Sequence, residues 1–415
     1  MMDKDGRNMR SACLGVSLTD TWRSIRLIFK SEESIGRARI DEWFTPEYFR
    51  SKFWVLWSTL FGFEPWHGLM EYRRYLRKFP HLAFKQYMLN GTIQTPQNQY
   101  DAVIAPMQKM LSEQGVHFHT NTRVVDVDFV GPMNDRSVSA LHLVQSDGTA
   151  RTVSVEPEND VVIICNGTMT TSSSLGTMKM PPMLNMDAPD WKLWHRIVEK
   201  TSDCGNPGNF DSQVDNTTAI SFTLTIRDPL FTEKLRKYAG GLPSGLIVLR
   251  DSPWWLTLLC YNQPYFPNQP ADTAVYFGYA LDHHALGQFV KKPITQCSGE
   301  EILTELLSQM GCFTPDQQAH VLQTDLCIPC LLPFTSSQFV PRLVSDRPEV
   351  VPKSARNFAF VSQFCEIPNN TVWTVDFSVH AAVIAVKKLL NPDLNDQYMG
   401  PLAVLAKVLF YVLFM

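Results

Sequence analysis

The sequence predicts a mixed α/β (α+β) fold, in which a doubly wound sheet is joined by a β-rich second domain and by helical segments. A short apolar run followed by a loop and then a helical pattern occurs twice, around Gly167 and around Phe364. This order is typical of doubly wound sheets, which bind ligands at the carboxyl ends of their strands. The middle of the chain is rich in strand signals, whereas residues 17–60 carry helical patterns.

Helical patterns dominate the first part of the chain. Thr45-Pro46 predicts a helix start, with Thr45 as N-cap and Pro46 at the first helical position. A second helix is predicted from Pro65 to Phe79, and residues 100–115 are predicted to be helical as well. On the second helix an apolar face is predicted for Leu69, Tyr72, Leu76 and Phe79, with Tyr75 at its edge beside Glu71 and Lys78.

Strands are predicted wherever the period of apolar residues changes to two or a short apolar run stands alone. Asp147-Gly148 is a strong hairpin signal between two of them. Asp160 to Cys165 has the continuous apolar character of a parallel strand that is buried on both faces. The predicted strands are Val124 to Phe129, Ala140 to Gln145, Thr152 to Val155, Asp160 to Cys165, Ala219 to Ile226, Leu246 to Arg250, Trp254 to Tyr261, Ala274 to Leu281 and Asn357 to Phe364.

Two further helices follow the β-rich middle. Ser298 and Glu301 have the spacing of a capping box, which predicts a helix that ends near Gly311. Val372 to Leu390 carries a long helical pattern. The tail from Pro401 to Met415 is apolar but falls short of the roughly 20 residues that span a bilayer, and docking on the core is the simplest expectation for it.

Composition limits the classes of function. Lys and Arg number 37 and Asp and Glu 41, a net charge of −4 with no basic block, so electrostatics gives no argument for nucleic-acid binding. The nine cysteines are irregularly spaced, which favours a reducing compartment over a disulfide framework. A signal peptide is not predicted, because the first residues contain no apolar core.

The motifs that carry chemistry are few. The sequence contains no GxGxxG loop, the usual phosphate cradle of a dinucleotide-binding sheet, so the doubly wound sheet is predicted to be incomplete. Asn166-Gly167-Thr168-Met169 follows one buried strand and is either a ligand loop or a plain turn. Gln363-Phe364-Cys365-Glu366 follows another and leaves the same two alternatives open.

Other candidates have simpler structural interpretations. Cys327 and Cys330 form a lone CxxC without the two further ligands that a zinc site needs, and no metal site is predicted. His67, near Glu64, is expected to be a cap or a core partner. Tyr75 is a candidate general acid, since a phenol is neutral at pH 7; the competing interpretation is a boundary aromatic whose hydroxyl meets water.

Taken together, strings along almost the whole chain resemble the oleate hydratase family, also called the myosin-cross-reactive antigen family. The resemblance runs in order through residues 17–390. Its strings are Pro65-Trp66-His67, Arg74-Tyr75, Asn98-Gln99-Tyr100-Asp101, Asn166-Gly167-Thr168-Met169-Thr170, Gly205-Asn206-Pro207, Lys291-Lys292-Pro293, residues 299–307, Cys327-Ile328-Pro329-Cys330, Asp346-Arg347-Pro348 and Gln363-Phe364-Cys365-Glu366-Ile367-Pro368.

The resemblance implies a fatty acid hydratase that adds water to the cis-9 double bond of oleate-type acids, giving 10-hydroxy acids. It implies FAD as a cofactor in a reaction without net redox change. It also implies a cytoplasmic homodimer that contacts membrane surfaces. Tyr75 corresponds to the family's acid. Contacts to the substrate are expected from Gln99, Tyr261, Asn262 and Tyr265, and contacts to the flavin from Asn166, Gly167, Thr168, Met169, Gln363, Phe364 and Glu366.

The sequence lacks the residue that serves as the catalytic base in the family it resembles. The family's catalytic Glu lies in an Arg-Gly-Gly-Arg-Glu string that this sequence does not contain. Losing one acid–base group costs typically ~10²–10⁴-fold in rate, so we expect a chain cut short at its N-terminus to be impaired. The alternatives are a catalytically dead fatty-acid-binding remnant and, disfavoured because no nicotinamide motif is visible, a redox flavoenzyme.

Five regions are expected from these assignments. They are a helical substrate and active-site region (1–120), part of an FAD-binding domain (121–180), a β-rich substrate-binding domain (181–345), the C-terminal part of the FAD-binding domain (346–395) and an apolar tail (396–415).

Overall fold

The computed structural model describes residues 15–79, 95–238, 245–249, 251–261 and 263–394. Within them the protein has the predicted mixed α/β fold, with helices around three sheets. Asn262, the tail 396–415 and the start of the chain lie outside the described residues.

The N-terminal part is helical, as predicted. Its helices are α1 (Leu18–Phe29), α2 (Glu32–Ile35), α3 (Ile40–Trp43), α4 (Lys52–Phe61) and α5 (Leu69–Lys78), followed by a π-helical turn (Tyr100–Ile104) that runs into α6 (Ala105–Glu113). Ser17 and Ser51 cap α1 and α4 through their hydroxyl oxygens.

The predicted helix start at Thr45-Pro46 is wrong. The hydroxyl and the N–H of Thr45 both donate to the carboxylate of Asp20, at 2.7 and 3.1 Å. Thr45 is thereby tied to α1, and the segment after it forms only a turn and a short 3-10 helix (Tyr48–Arg50) before α4 begins at Lys52. The second helix also begins later than predicted, at Leu69, because Pro65 to Gly68 form a turn that docks against other segments.

A three-stranded antiparallel sheet follows in the order β1 (Thr122–Val130), β2 (Ser137–Gln145) and β3 (Ala150–Ser154). Asp147-Gly148 forms the predicted hairpin turn, and Gly148 adopts a φ of 86°. Helix α7 (Pro189–Lys200), which the sequence did not predict, packs against β1.

The β-rich middle forms one six-stranded sheet. Its order is β5 (Ser174–Leu175), β10 (Leu326–Leu332), β6 (Ala219–Ile226), β9 (Ala274–Ala280), β8 (Leu256–Cys260) and β7 (Gly245–Val248), and all its pairs are antiparallel. Helices α8 (Gly208–Asp211) and α9 (Val214–Thr217) precede β6, and α10 (Pro229–Tyr238) follows it.

The CxxC string lies inside β10. Residues three apart on a strand point to opposite faces, so Cys327 is buried and Cys330 is only partly covered. Both are free thiols. Among the described residues no group of three or more His, Cys, Asp or Glu side chains is arranged to hold a metal ion.

Helix α11 (Gly299–Met310) carries the predicted capping box of Ser298 and Glu301 and ends at Gly311 in the left-handed conformation. Helix α12 (Pro315–Thr324) leads into β10. The buried faces of α11 and of the six-stranded sheet form one hydrophobic core.

The two predicted strand–loop–helix units meet in a parallel pair. Strand β4 (Val162–Ile164) pairs with β11 (Phe358–Phe360), and helix α13 (Val375–Leu389) follows β11. Complete burial of β4 is wrong, because Ile163 is 45% exposed while Ile164 faces the core. The loops after both strands leave from the same edge, where doubly wound sheets bind ligands.

The largest hydrophobic core joins helices α1 to α5, the three-stranded sheet, the parallel pair and α13. In the part of the chain that the structure describes, none of the helices has the length and apolar content needed to cross a bilayer.

Candidate active site

Helix α5 positions Tyr75 in the centre of this core. The N–H of Gly68, the residue before α5, donates to the carbonyl of Phe339 at 2.6 Å, and a Cβ at Gly68 would lie 3.0 Å from the carbonyl oxygen of Val340. The close approach requires glycine and fixes the start of α5 on the segment 337–341. Two helical turns later the side chain of Tyr75 is fully buried.

Aromatic rings enclose the Tyr75 side chain. The rings of Phe61 and Phe63 lie 4.9 and 5.0 Å from it, and those of Phe79 and Phe339 at 5.9 Å. Phe61 and Phe79 are partly exposed and stack on each other, so they form the outer wall of this aromatic cage. A boundary position with the hydroxyl in water, the competing interpretation of Tyr75, is wrong.

The Tyr75 hydroxyl is held in a defined direction. The backbone N–H of Trp373 donates to its oxygen at 3.2 Å. Burial raises the pKa of the phenol above its ordinary value, although the Trp373 N–H opposes the shift. The hydroxyl is therefore protonated at neutral pH, and no described residue accepts its proton in a hydrogen bond. A phenol in this state is able to donate its proton to a ligand.

Glu64 and His67 form a neutral pair on the other side of Phe63. The Glu64 N–H donates to Nδ1 of His67 at 2.9 Å, and Nε2 of His67 lies 3.8 Å from the Glu64 carboxylate. Burial lowers the pKa of His67 to about 3 and raises the pKa of Glu64 to about 8. Since both groups are neutral at pH 7, the 3.8 Å contact is not an ion pair.

Next to Tyr75 lies a buried ionic cluster that the sequence did not predict. Its members are Glu32, Glu71, Glu366, Arg73, Arg74, Arg342 and Arg347. Four guanidinium groups face three carboxylates, so the cluster has an excess of one positive charge. The polar side predicted for α5 is thus turned inward at Glu71, which is 0% exposed. In the sequence, Glu71 had been placed on the polar side of the predicted helix, four residues before Tyr75.

The structure places Glu366, a predicted flavin contact, in this cluster. Its carboxylate lies 2.5 Å from Arg74 and 2.7 Å from Arg342. Burial alone would raise the pKa of this carboxyl, but the guanidinium groups hold it at about 2. Glu366 is therefore a permanent anion whose contacts are inside the protein.

The other predicted flavin contacts lie together in the loops after β4 and β11. Asn166 donates to the carbonyl of Phe364 at 3.4 Å, and Ser362 donates to the carbonyl of Asn166 at 2.7 Å. Gly167 adopts a φ of 65°, and a Cβ there would meet the rings of Trp191 and Phe364 at 3.1 and 3.2 Å. Asn166, Gly167 and Phe364 are buried, whereas Thr168, Met169 and Gln363 keep part of their surface exposed.

Three of the predicted substrate contacts, Gln99, Tyr261 and Tyr265, lie in segments that contact one another. The N–H of Asn98, beside the exposed Gln99, donates to the carbonyl of Tyr265 at 3.0 Å. The rings of Tyr261 and Tyr265 stack with centroids 3.9 Å apart. Burial raises the pKa of Tyr261 above its ordinary value, so its hydroxyl is a hydrogen-bond donor at neutral pH.

A tyrosine of β9 connects this group with the aromatic cage. The hydroxyl of Tyr279 donates to the carbonyl of Thr59 in α4, the helix that carries Phe61. Burial raises the pKa of the Tyr279 phenol, and Tyr261 raises it further. The predicted acid and the predicted carboxylate contacts are therefore on neighbouring surfaces of the same fold.

An open polar cavity of about 470 Å³ lies nearby and does not reach Tyr75. Its lining consists of Arg37, Arg39, Trp66, Asn209, Gln213, Asn216 and Pro341. The indole N–H of Trp66 donates to Glu64 at 3.1 Å, so the cavity borders the neutral pair and not the phenol.

Comparison with known proteins gives a consistent picture. A family model described as the MCRA family matches residues 1–387. The oleate hydratase of Streptococcus pyogenes serotype M49 (strain NZ131) is 31% identical over 390 residues, which cover 89% of this chain and 64% of that protein. The linoleate hydratase of Lactiplantibacillus plantarum is 30% identical over 392 residues, covering 89% of this chain and 69% of that protein. The chain thus spans less than two thirds of the length of the first of these relatives.

Proposed function

The chain belongs to the MCRA family, as its motifs indicated, and from this premise we propose that it is a fatty acid hydratase. The reaction is the addition of water to the cis-9 double bond of oleate-type unsaturated fatty acids, giving 10-hydroxy fatty acids. Two similar proteins carry the names oleate hydratase and linoleate hydratase, which supports an unsaturated fatty acid as substrate.

The observation that carries the proposal is the state of Tyr75. Hydration of an alkene needs an acid to protonate one carbon while water attacks the other. A buried phenol that accepts a hydrogen bond from Trp373 and keeps its own proton meets this need. The apolar rings around it suit an alkyl chain, because such a chain gains free energy when it leaves water for an apolar surface.

The cage is closed in this structure, so an alkene reaches the phenol only when the outer wall opens. Phe61 and Phe79 are the partly exposed members of the wall, and rotation of their rings would admit the chain. The fatty acid carboxylate would then lie toward Gln99, Tyr261 and Tyr265, with Asn262 between the two tyrosines in the sequence. Amide and phenol N–H and O–H groups are suitable donors to a carboxylate.

We propose FAD as a cofactor that, when bound, would supply electrostatic stabilisation and order the site. The described residues fit this role in part. Thr168, Met169 and Gln363 offer partly exposed groups at the carboxyl ends of β4 and β11. The rings of Trp191 and Phe364, however, already fill the space beside Gly167. The residues do not form a complete flavin site, and no step of the proposed chemistry is assigned to a flavin.

The closed cage also supports a second candidate, a protein that binds fatty acid without turnover. One experiment separates the two. The purified full chain is incubated with oleate and with linoleate in H₂¹⁸O, with and without added FAD, and the extracted acids are analysed by mass spectrometry. A hydratase gives a hydroxy acid that carries one ¹⁸O in its hydroxyl group. Oleate that is bound and recovered unchanged supports the binding protein, and the absence of both binding and product contradicts both candidates.

Homodimer formation and contact with membrane surfaces remain proposals that rest on the family. Size-exclusion chromatography with light scattering tests the first, and flotation with phospholipid vesicles tests the second.

A further inference from the structure

Helix α5 brings a carboxylate next to the phenol. Glu71 and Tyr75 are four residues apart on α5, and both are 0% exposed. Side chains at positions i and i+4 of a helix lie on the same face, with Cβ atoms about 5–6 Å apart. A buried carboxylate and a buried phenol are therefore neighbours in the core.

The contacts of Glu71 are all made by one of its two oxygens. Arg342 donates to Oε1 through Nε at 2.9 Å and through Nη2 at 2.7 Å, and Nη1 of Arg347 lies 3.2 Å from the same atom. Oε2 has no hydrogen-bond partner among the described residues. An unpaired buried polar atom costs about 1–3 kcal/mol, and more where the group is charged.

We infer that Oε2 of Glu71 binds the water molecule that the proposed reaction adds, and that Glu71 is a second catalytic residue beside Tyr75. This inference rests on the proposed function and deepens it by naming the group that positions the nucleophile. Buried polar atoms without a protein partner are the usual binding sites of ordered water.

The proposed step balances with these two residues alone. Tyr75 gives its proton to one alkene carbon as the π bond breaks. The water oxygen forms a bond with the other carbon and loses a proton to Oε2 of Glu71. Glu71 then returns this proton to the Tyr75 oxygen, directly or through a second water, which restores both groups. The net change is the addition of one water molecule.

The electrostatics of the cluster favours the return of the proton. Burial alone would raise the pKa of the Glu71 carboxyl, but Arg347, Arg342 and Arg74 hold it below its ordinary value. The pKa of Tyr75 is raised by burial. A proton that Glu71 accepts transiently is therefore more stable on the phenolate, so the pair resets after each turnover.

Other unpaired polar atoms continue from Glu71 along the neighbouring segment. Oγ of Ser337 and Oε1 of Gln338 are buried without a hydrogen-bond partner among the described residues. The carbonyl of Gln338 accepts from Nη2 of Arg347 at 2.7 Å, and the next residue, Phe339, packs on Tyr75. These atoms offer further hydrogen bonds to water on its way to Glu71.

The test compares Glu71→Gln with Glu32→Gln in the full chain. Glu32 is a matched control because its carboxylate is buried in the same cluster, 2.6 Å from Arg74, but lies on α2. We expect Glu71→Gln to reduce the formation of hydroxy acid from oleate by ~10²–10⁴-fold, the usual range for one acid–base group. Glu32→Gln is expected to stay within a few-fold of the wild type. Circular dichroism and thermal unfolding show whether each variant is folded.

Two additions keep the test decisive. If Glu71→Gln does not fold, Glu71→Asp is measured in its place. This variant retains the charge, and we expect it to keep part of the activity. A high-resolution crystal structure of the wild type is expected to show water within hydrogen-bonding distance of Oε2. Wild-type turnover by a folded Glu71→Gln variant, or no solvent at Oε2, overturns the inference while the proposed function stands. A wild type that forms no hydroxy acid contradicts the proposed function itself, and the role of Glu71 with it.

Discussion

The hydroxyl of Tyr75 and the backbone N–H of Trp373 are joined by a hydrogen bond of 3.2 Å in which the phenol oxygen is the acceptor. The bond fixes the direction of the phenol and leaves its own proton for another partner. The same N–H would stabilise the phenolate if Tyr75 gave its proton away, as donors aimed at a developing charge do in many enzymes. Two segments that are almost 300 residues apart in the sequence therefore set the direction of the proposed acid.

Tyr75→Phe is expected to reduce formation of hydroxy acid from oleate by at least ~10²-fold, because it removes the acid and leaves the ring. The fold, and any binding of added FAD, should be the same as in the wild type. Mass spectrometry of the product and absorbance titration with FAD check the two expectations. Tyr72→Phe is the control, since Tyr72 is equally buried on α5 but its hydroxyl contacts Tyr48. Unchanged turnover in Tyr75→Phe would exclude Tyr75 as the acid.

Gln99→Ala is expected to raise KM for oleate about tenfold with little change in kcat, because a contact with the substrate carboxylate contributes equally to the ground state and the transition state. Gln99 is exposed, so the fold should be unaffected. Steady-state kinetics with oleate and with oleyl alcohol make the comparison. The alcohol has no carboxylate, so the variant and the wild type should have the same KM for it. An equal effect on both substrates would contradict the assignment.

The alternation of apolar residues predicted most strands because it is a local property of each segment. Strand β6 matches its predicted bounds, Ala219 to Ile226, and its side chains alternate between buried and partly exposed positions. The predicted α-helix start at Thr45 failed: Thr45 hydrogen-bonds to Asp20, 25 residues away, and the α-helix begins only at Lys52. A cap that depends on the tertiary fold cannot be distinguished from a local cap by spacing alone.

Sequence analysis likewise identified some candidate residues of the site and missed others. Motifs located Tyr75, Gln99 and the loops at Gly167 and Phe364 because each string is contiguous in the sequence. The ionic cluster was missed because its charges come from segments around residues 32, 71, 342 and 366, which only the fold brings together. An isolated Glu in a helical pattern is most often exposed, so nothing local marked Glu71 as buried.

The stability difference between wild type and Glu64→Gln is expected to depend on pH. Burial raises the pKa of Glu64 from 4.5 to about 8, so the folded state holds a proton that the unfolded state releases. The contribution of Glu64 to the free energy of unfolding is fully present below pH 4.5 and is lost as pH rises toward 8. The slope is at most about 1.4 kcal/mol per pH unit.

Urea unfolding of both proteins between pH 4 and pH 9 measures this difference. Subtraction of the Glu64→Gln curve removes the opposite contribution of His67, whose pKa burial lowers to about 3. A difference that stays constant across this range would show that the Glu64 carboxyl ionises as readily in the folded protein as in the unfolded chain.

Glu305→Ala is expected to lower the free energy of unfolding by about 2–4 kcal/mol, because a buried carboxylate with several backbone donors would be lost. The N–H groups of Gln288, Phe289 and Val290 donate to Glu305 at 2.7, 2.8 and 2.9 Å. On the same helix, Glu300→Ala should cost about 0.5 kcal/mol or less, since its pair with Lys179 is exposed. Denaturant titration of both variants makes the test, and equal losses would contradict it.

Gly167→Ala is expected to destabilise the protein more than Gly148→Ala does. Both glycines have a positive φ, 65° and 86°, so alanine meets a similar backbone cost of about 1–2 kcal/mol at each position. A Cβ at Gly148 meets nothing within 4 Å, whereas at Gly167 it would press on the rings of Trp191 and Phe364. The excess loss in Gly167→Ala therefore measures how tightly these rings pack against the loop. Fluorescence-detected urea unfolding gives both values, and the affinity for added FAD is measured on the same samples. Equal destabilisation by the two substitutions would mean that the rings move aside at no cost, and that the space beside Gly167 is open to a ligand.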